Sequence, residues 1–197
     1  NKALLANFGN ELFQIAEKNN VNIFYEAAVA GGIPIINILK NFLFFNKIKN
    51  ISGILNGTTN YILSSMEKNN LSFQNALDVA SEKGYAESDP TNDIEGIDSA
   101  HKITLLSSLC YGIKINHKNS NYTGIKNFNS EDIRYSRKLG YRIKLISESF
   151  SDIAFAIFCN KIVFPVLGCA TIKPLCPFPM GANISIVLVE MFSAFVS

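Results

Sequence analysis

The sequence predicts an α+β fold in which helices pack mainly on one face of a mixed β-sheet. The strands predicted to begin at residues 21 and 48 are each followed by a helix, while those predicted after residue 141 follow one another directly. In addition, 48% of the 197 residues are hydrophobic and 17% are charged. This balance is typical of a globular protein with one sizeable core.

Hydrophobic spacing and local breakers define the individual elements. Residues 21–29 predict a buried strand because Val21, Ile23 and Phe24 favour β-structure, and Pro34 suits the first turn of the helix that follows. The predicted helices cover residues 2–18, 35–42, 58–66, 73–83, 94–111 and 130–140. The predicted strands cover residues 21–29, 48–55, 141–150, 152–158, 161–167 and 183–189, and a surface loop is predicted over 116–121.

Charge and composition exclude several classes of function. The net charge of +2 and the lack of a basic run argue against a nucleic-acid partner. The hydrophobic run over residues 184–196 is broken by Glu190 and is shorter than the roughly 20 residues of a membrane span. No leader precedes the first helix, so we expect a cytoplasmic protein without a membrane partner.

An acidic segment stands out between the fourth and fifth predicted helices. Six of the sixteen acidic residues fall within residues 82–98, which favours a positively charged guest. A calcium loop of the EF-hand type is excluded, because counting from Asp89 its sixth position would be Ile94 instead of glycine.

Asp98 and Lys102 lie four residues apart on one face of the predicted helix. Because that face continues through Leu105 and Leu109, we expect the pair to be partly buried, and a partly buried lysine beside a carboxylate is a candidate proton carrier. The alternative is an ordinary solvated ion pair. His101 lies one residue off this face and is expected to be an ordinary packed or surface histidine.

Three blocks of sequence resemble the signature blocks of the homoserine dehydrogenase family. They are residues 25–36 (YEAAVAGGIPII), 53–63 (GILNGTTNYIL) and 84–102 (GYAESDPTNDIEGIDSAHK). The resemblance covers roughly residues 1–145, including 132–145, and fades beyond. It implies interconversion of L-homoserine and L-aspartate 4-semialdehyde with NAD(P), in the synthesis of threonine, methionine and isoleucine.

The resemblance also implies roles for individual residues. Lys102 would move the hydroxyl proton as the catalytic residue. The implied substrate ligands are Glu87, Asp98 and Asp93. Lys2 and Gly84 would contact the cofactor, although without the resemblance a solvated lysine at the chain end is the preferred interpretation of Lys2.

The helix start at Thr58 offers free N–H groups and a hydroxyl, which suit the substrate carboxylate. As an alternative, the residues before it form only a turn and a helix cap.

A sodium ion is a further implication, since the family binds one at the turn within the first block. By position its ligands would be the backbone oxygens of Glu26, Val29, Gly31 and Ile33, and oxygen ligands suit a hard cation. A tight turn without an ion is the alternative. We also expect a homodimer, because the edges of the predicted sheet are open and because the family is dimeric.

We divide the chain into a substrate and catalytic domain over residues 1–150 and a divergent continuation over 151–197. No Gly-x-Gly-x-x-Gly motif follows any predicted strand, so we expect the dinucleotide-binding Rossmann domain to be missing and the chain to be an inactive fragment without it. The alternative is a non-catalytic remnant or a dimerisation or binding domain.

Overall fold

A computed structural model describes residues 1–117 and 120–151, together with the backbone of 157–165 and 184–189. The helices are α1 (Lys2–Lys18), α2 (Ile35–Asn41), α3 (Gly57–Asn69), α4 (Phe73–Glu82), α5 (Thr91–Ile94), α6 (Ile97–Tyr111) and α7 (Ser130–Lys138). The strands are β1 (Ile48–Ile54), β2 (Asn121–Tyr122), β3 (Tyr141–Phe150), β4 (Ile157–Pro165) and β5 (Ile184–Val189).

The five strands form one mixed sheet in the order β2-β4-β3-β1-β5. β3 is antiparallel to both β1 and β4, whereas the outer pairs β2/β4 and β1/β5 are parallel. α6 packs against β1, β3 and β4, and α3 packs against β3. The α+β class with a mixed sheet is therefore confirmed.

Two hydrophobic clusters hold the helices and the sheet together. The first joins α1, α2, β1 and α6 around Ile51, Ile103 and Leu106, which are at most 1% exposed. The second joins α3, α4, α7 and β3 around residues such as Ile62 and Leu63. β1 and α3, which follow one another in the sequence, thus belong to different clusters, and their connection lies between the two.

Most of the predicted helices are confirmed, and local capping explains their limits. The side chain of Asn1 accepts hydrogen bonds from the first N–H groups of α1, which ends just before Asn19. α7 begins where predicted, but the capping side chain is that of Asn129, which forms a capping box with Asp132. Of the described helices, none is long and apolar enough to cross a membrane.

The strand predicted over residues 21–29 is wrong. Residues 21–25 have no regular structure, and Glu26–Ala28 form a single 3₁₀ turn. A strand is stable only where its N–H and C=O groups pair with a neighbour, and none of the described strands pairs with this segment. Val21 and Phe24 are consequently 58% and 91% exposed.

The predicted helix over residues 94–111 is interrupted. Gly96 has a φ of 83° and separates α5 from α6, because a left-handed residue cannot continue a helix.

The predicted strands 152–158 and 161–167 form one continuous strand, β4, over the part that the structure describes; residues 152–156 and 166–167 lie outside it. The short strand β2 begins at Asn121, at the end of the predicted loop.

Candidate active site

Several chain segments bring polar side chains together beside the sheet. The connection from β1 to α3 carries Asn56, the short helix α5 carries Asp93, and the first two turns of α6 carry Asp98 and Lys102. α1 begins with Lys2 at the same place. We call these five residues the carboxylate–lysine cluster.

Asp98 is the centre of the cluster and is only 5% exposed. Its Oδ1 lies 2.8 Å from Lys2 Nζ, and its Oδ2 lies 2.9 Å from Lys102 Nζ and accepts a hydrogen bond of 3.0 Å from Asn56 Nδ2. Burial alone would raise the pKa of this carboxyl, but the charge of Lys102 and the hydrogen bonds from all three neighbours outweigh burial and lower the pKa. Asp98 is therefore a buried carboxylate that stays ionised.

Lys102 occupies the position on the α6 face that its spacing from Asp98 predicts. Its side chain is 14% exposed, and its ammonium donates to the carbonyl oxygen of Leu55 at the end of β1 as well as to Asp98. The pair is thus an interior feature and not a solvated ion pair, whereas the catalytic role of Lys102 stays a prediction.

Lys2 reaches the cluster from solvent, with a side chain that is 40% exposed. Burial lowers its pKa, but the hydrogen bond and charge of Asp98 and the charges of Asp93 and Glu87 reverse the effect and raise it. Lys2 is therefore held as a cation in a field of three carboxylates.

The two other predicted acidic ligands are more open than Asp98. Asp93 is half-buried and its Oδ1 accepts a hydrogen bond of 2.6 Å from Asn56 Nδ2. Glu87 is exposed, and its charge acts on Lys2, although no residue in the described ranges forms an ion pair or side-chain hydrogen bond with it. Asp93 thus belongs to the cluster, Glu87 lies close enough for its charge to act on Lys2, and both carboxylates can accept further donors.

Thr58 and Gly84 lie where the acidic segment meets α3. The Thr58 hydroxyl donates to the carbonyl oxygen of Tyr85 at 2.7 Å, and the ring of Tyr85 stacks on Tyr61 with centroids 4.4 Å apart. Gly84 has a φ of 74°, and a Cβ added there would meet no atom within 4 Å. After α4 the chain therefore turns at Gly84, which has free space on its Cβ side. The next residue, Tyr85, is hydrogen-bonded to α3.

A cavity of about 600 Å³ opens next to Lys2. Its wall consists of the first residues of the chain and the segment around the 3₁₀ turn: Asn1, Lys2, Phe24, Tyr25, Glu26, Ala27 and Ala28. The volume is within the range of small-molecule sites in proteins.

The segment predicted to hold sodium continues from this wall. The Glu26 carboxylate accepts hydrogen bonds from Ile36 N at 2.8 Å and Asn37 N at 3.0 Å, so its side chain caps α2. The turn after it has positive φ angles at Ala30 and Gly31.

The carbonyl oxygens of Val29 and Gly31 receive no hydrogen bond from the described part of the chain, while that of Ile33 accepts from Ile35 N at 2.8 Å. Over the same residues, no cluster of three or more His, Cys, Asp or Glu side chains could hold a metal ion. Backbone oxygens are therefore the donors that this turn offers.

His101, next to the cluster, agrees with the expectation from the sequence, whereas the role of Asn56 within the cluster was not predicted. His101 is half-buried with its ring 5.1 Å from that of His117; burial and the charge of His117 lower its pKa, as for an ordinary packed histidine. Asn56 was read only as part of a turn before a cap. An asparagine immediately before a helix is a signal for a helix cap, but no local sequence signal indicates its bridge between Asp93 and Asp98.

Comparisons with known proteins agree on one family. The sequence model for homoserine dehydrogenase matches residues 34–190, well past the point at which the resemblance of individual motifs fades. Homoserine dehydrogenases from Neisseria gonorrhoeae and Pseudomonas aeruginosa are 53% and 47% identical to the chain over 146 and 144 residues, which are 74% and 73% of it.

Solved structures give the same result. A homoserine dehydrogenase from Thiobacillus denitrificans superposes on 84% of the chain with a TM-score of 0.78 and 44% identity. The chain spans about a third of the length of these relatives: 34% and 33% of the two sequences and 38% of the solved chain. From its sequence and its fold, the chain belongs to the homoserine dehydrogenase family.

Proposed function

We propose that this chain forms the substrate-binding and catalytic part of an enzyme that interconverts L-homoserine and L-aspartate 4-semialdehyde with NAD(P). Such an oxidoreductase would serve the synthesis of threonine, methionine and isoleucine. The observation that carries the proposal is the buried Asp98 carboxylate, which holds Lys2 and Lys102 together beside the acidic segment.

Proton transfer is assigned to Lys102. Oxidation of an alcohol removes a hydride from carbon and a proton from the hydroxyl, so a base must lie beside that oxygen. The Lys102 amine would take this proton in oxidation and return it in reduction. As a neutral amine, Lys102 would donate its two N–H groups to Asp98 and to the Leu55 carbonyl oxygen, and would direct its lone pair at the substrate hydroxyl.

Substrate recognition is assigned to the acidic segment and the start of α3. Glu87 and Asp93 would bind the α-ammonium of homoserine, because both carboxylates retain acceptor capacity near Lys2. Asp98 would contact the substrate through its remaining lone pairs. The backbone N–H groups of Gly57 and Thr58, at the start of α3, would face the substrate carboxylate, while the Thr58 hydroxyl donates to Tyr85.

Lys2 and Gly84 are the residues of this chain proposed to meet the cofactor. The cavity beside Lys2 and the free space at Gly84 would accommodate a nicotinamide ring that approaches the backbone closely. A bound nicotinamide nucleotide would accept or supply the hydride. Because the 197 residues contain no glycine-rich dinucleotide motif, we propose that a Rossmann domain outside them binds the rest of the nucleotide, and that the chain is inactive without it.

Sodium and a second copy of the chain complete the proposal. The turn over residues 29–33 fits a sodium ion, since the Val29 and Gly31 carbonyl oxygens are not engaged by the described residues. Glu26, Val29, Gly31 and Ile33 would supply their backbone oxygens to it. A homodimer is proposed because β2 and β5 lie at the edges of the sheet formed by the described strands, and the location is proposed to be cytoplasmic.

The test is an assay of the full-length protein that contains this chain, with L-homoserine and NAD(P)⁺. Lys102→Ala should lower kcat by about 10²- to 10⁴-fold, as expected for loss of a general base. Lys126→Ala is the matched control, because this lysine is 63% exposed and pairs only loosely with Glu95, at 3.8 Å. Full turnover in Lys102→Ala would contradict the assignment, and a wild-type protein without turnover would favour a non-catalytic binding or dimerisation role.

A further inference from the structure

Asn56 occupies the middle of the carboxylate–lysine cluster without carrying a charge. It is 4% exposed and lies immediately before α3. Its Nδ2 donates to Asp93 Oδ1 at 2.6 Å and to Asp98 Oδ2 at 3.0 Å. One amide nitrogen therefore bridges two carboxylates that come from different helices.

The orientation of this amide is fixed by its other end. Asn56 Oδ1 accepts from the backbone N–H of Thr59 at 2.8 Å and from the Thr59 hydroxyl at 2.9 Å. A backbone N–H can only donate, so the atom facing it must be the carbonyl oxygen, and the NH₂ group must face the acids. The start of α3 thus sets the direction of both donors.

The bridge matters because two carboxylates at such close quarters repel each other. The two N–H bonds of Asn56 compensate for part of this repulsion and add no positive charge that would compete with a cationic guest. Without the N–H donors of Asn56, Asp98 would keep only its ion pairs with the two lysines, and the Asp93 carboxylate could turn toward solvent.

We propose that Asn56 is a positioning residue that fixes the separation of the Asp93 and Asp98 carboxylates, and so tunes the affinity of the site for an ammonium-bearing substrate. The inference rests on the proposed function, since it takes that ammonium to be the α-amino group of homoserine. Asn56 itself need not touch the substrate.

Two substitutions separate this role from simple helix capping. Aspartate and serine cap a helix about as well as asparagine, but aspartate also places a third carboxylate beside Asp93 and Asp98, so a role confined to capping predicts wild-type behaviour for Asn56→Ser only. Neither side chain presents an amide NH₂ group. The positioning role therefore predicts that both variants lose function while keeping their folded structure.

The experiment uses the full-length protein that contains this chain. In Asn56→Asp we expect kcat/KM for L-homoserine to fall about 10- to 100-fold, as for loss of hydrogen bonds to charged groups, with most of the loss in KM. The acidic limb of its pH profile should move to higher pH. Asn56→Ser should show the same direction of change, and a variant of either kind with wild-type KM and pH profile would overturn the proposal.

A second readout does not depend on turnover. Titration of ¹³C-labelled aspartate carboxyls should show Asp98 protonating at higher pH in Asn56→Ser than in the wild type, because the hydrogen bond from Asn56 helps to lower the pKa of Asp98. An unchanged titration would overturn the positioning role. A wild-type protein that turns over no homoserine would refute the proposed function, and the titration would still decide the role of Asn56.

Discussion

Lys2 Nζ lies 2.8 Å from Asp98 Oδ1 and so joins the first turn of α1 to the first turn of α6. The Asp98 carboxylate is also stabilised by the positive end of the α6 dipole, since it lies at the second position of that helix. The same carboxylate holds Lys102 on its other oxygen. One buried anion thus fixes two cations that are 100 residues apart in the sequence.

The stability of the fold should depend on the ionisation of Asp98. Its pKa is lower in the folded state, so its contribution is present above the unfolded value of about 3.9 and is lost as pH falls through the folded value. Asp98→Asn should lower the free energy of unfolding by about 3 kcal/mol at pH 7, since it leaves two lysines without their partner.

Urea unfolding of wild type and Asp98→Asn between pH 7 and pH 3 checks this dependence. The difference between the two proteins should shrink as the pH falls, because protonated Asp98 resembles the asparagine. A difference that stays constant over the whole range would rule out the ionised carboxylate as its source.

The two lysines of Asp98 should contribute unequally. Lys2→Met should cost less than about 1 kcal/mol, because a side chain that is 40% exposed is screened by water. Lys102→Met removes the more buried partner, 14% exposed, and should cost about 3 kcal/mol. The raised pKa of Lys2 places its contribution below the unfolded value of about 10.4, and it disappears as pH rises through the folded value.

Urea unfolding of both variants at low and high salt provides the measurement. Added salt should reduce the cost of Lys2→Met more than that of Lys102→Met. Equal costs, or equal salt dependence, would show that burial does not distinguish the two ion pairs.

How much of this could be predicted from sequence depends on whether the deciding contacts are local. The pairing of Asp98 with Lys102 follows from helical spacing alone, so the sequence predicts it and the structure confirms it. The strand expected at residues 21–29 failed because strand formation requires a neighbour, and β-propensity carries no information about one. The bridge by Asn56 was missed because Asp93 and Asp98 reach it only after α5, α6 and α3 have packed.

Gly124 should be intolerant of a side chain. A Cβ there would overlap the carbonyl oxygen of Ile94 and lie 2.5 Å from Cα of Glu95, and both atoms are backbone that cannot rotate away. These residues join α5 to α6, which carry Asp93 and Asp98. Gly124→Ala should therefore lower the free energy of unfolding by more than about 2 kcal/mol and should also reduce turnover.

Gly140→Ala is the matched control for this prediction. Gly140 has a φ of 79° but nothing within 4 Å of an added Cβ, so only the left-handed backbone resists substitution, by about 1 kcal/mol. Thermal unfolding of both variants gives the comparison. A smaller loss for Gly124→Ala than for Gly140→Ala would contradict the close approach of the two backbones.

The destabilising effect of the buried Lys144 charge should decrease as the pH rises. Its ammonium donates to Asn60 Oδ1 and Ser64 Oγ, each at 2.7 Å, and so connects β3 to α3. Burial lowers its pKa, and the charge of Arg142 adds to the effect. The charged form is therefore disfavoured by folding, and wild-type stability should rise between the folded pKa and the unfolded value of about 10.4.

Lys144→Met should lack this rise, since methionine fills similar volume without a charge. From pH 8 to pH 10.5 the free energy of unfolding of the wild type should rise relative to that of Lys144→Met, whereas Lys18→Met, at an exposed lysine of α1, should show the same rise as the wild type. If the free energies of unfolding of Lys144→Met and the wild type change with pH in the same way, burial of the Lys144 ammonium does not destabilise the fold and the prediction is wrong. If they diverge as expected, the lysine is retained at a cost to stability because its two hydrogen bonds fix α3, the helix whose first turn directs Asn56 toward Asp93 and Asp98.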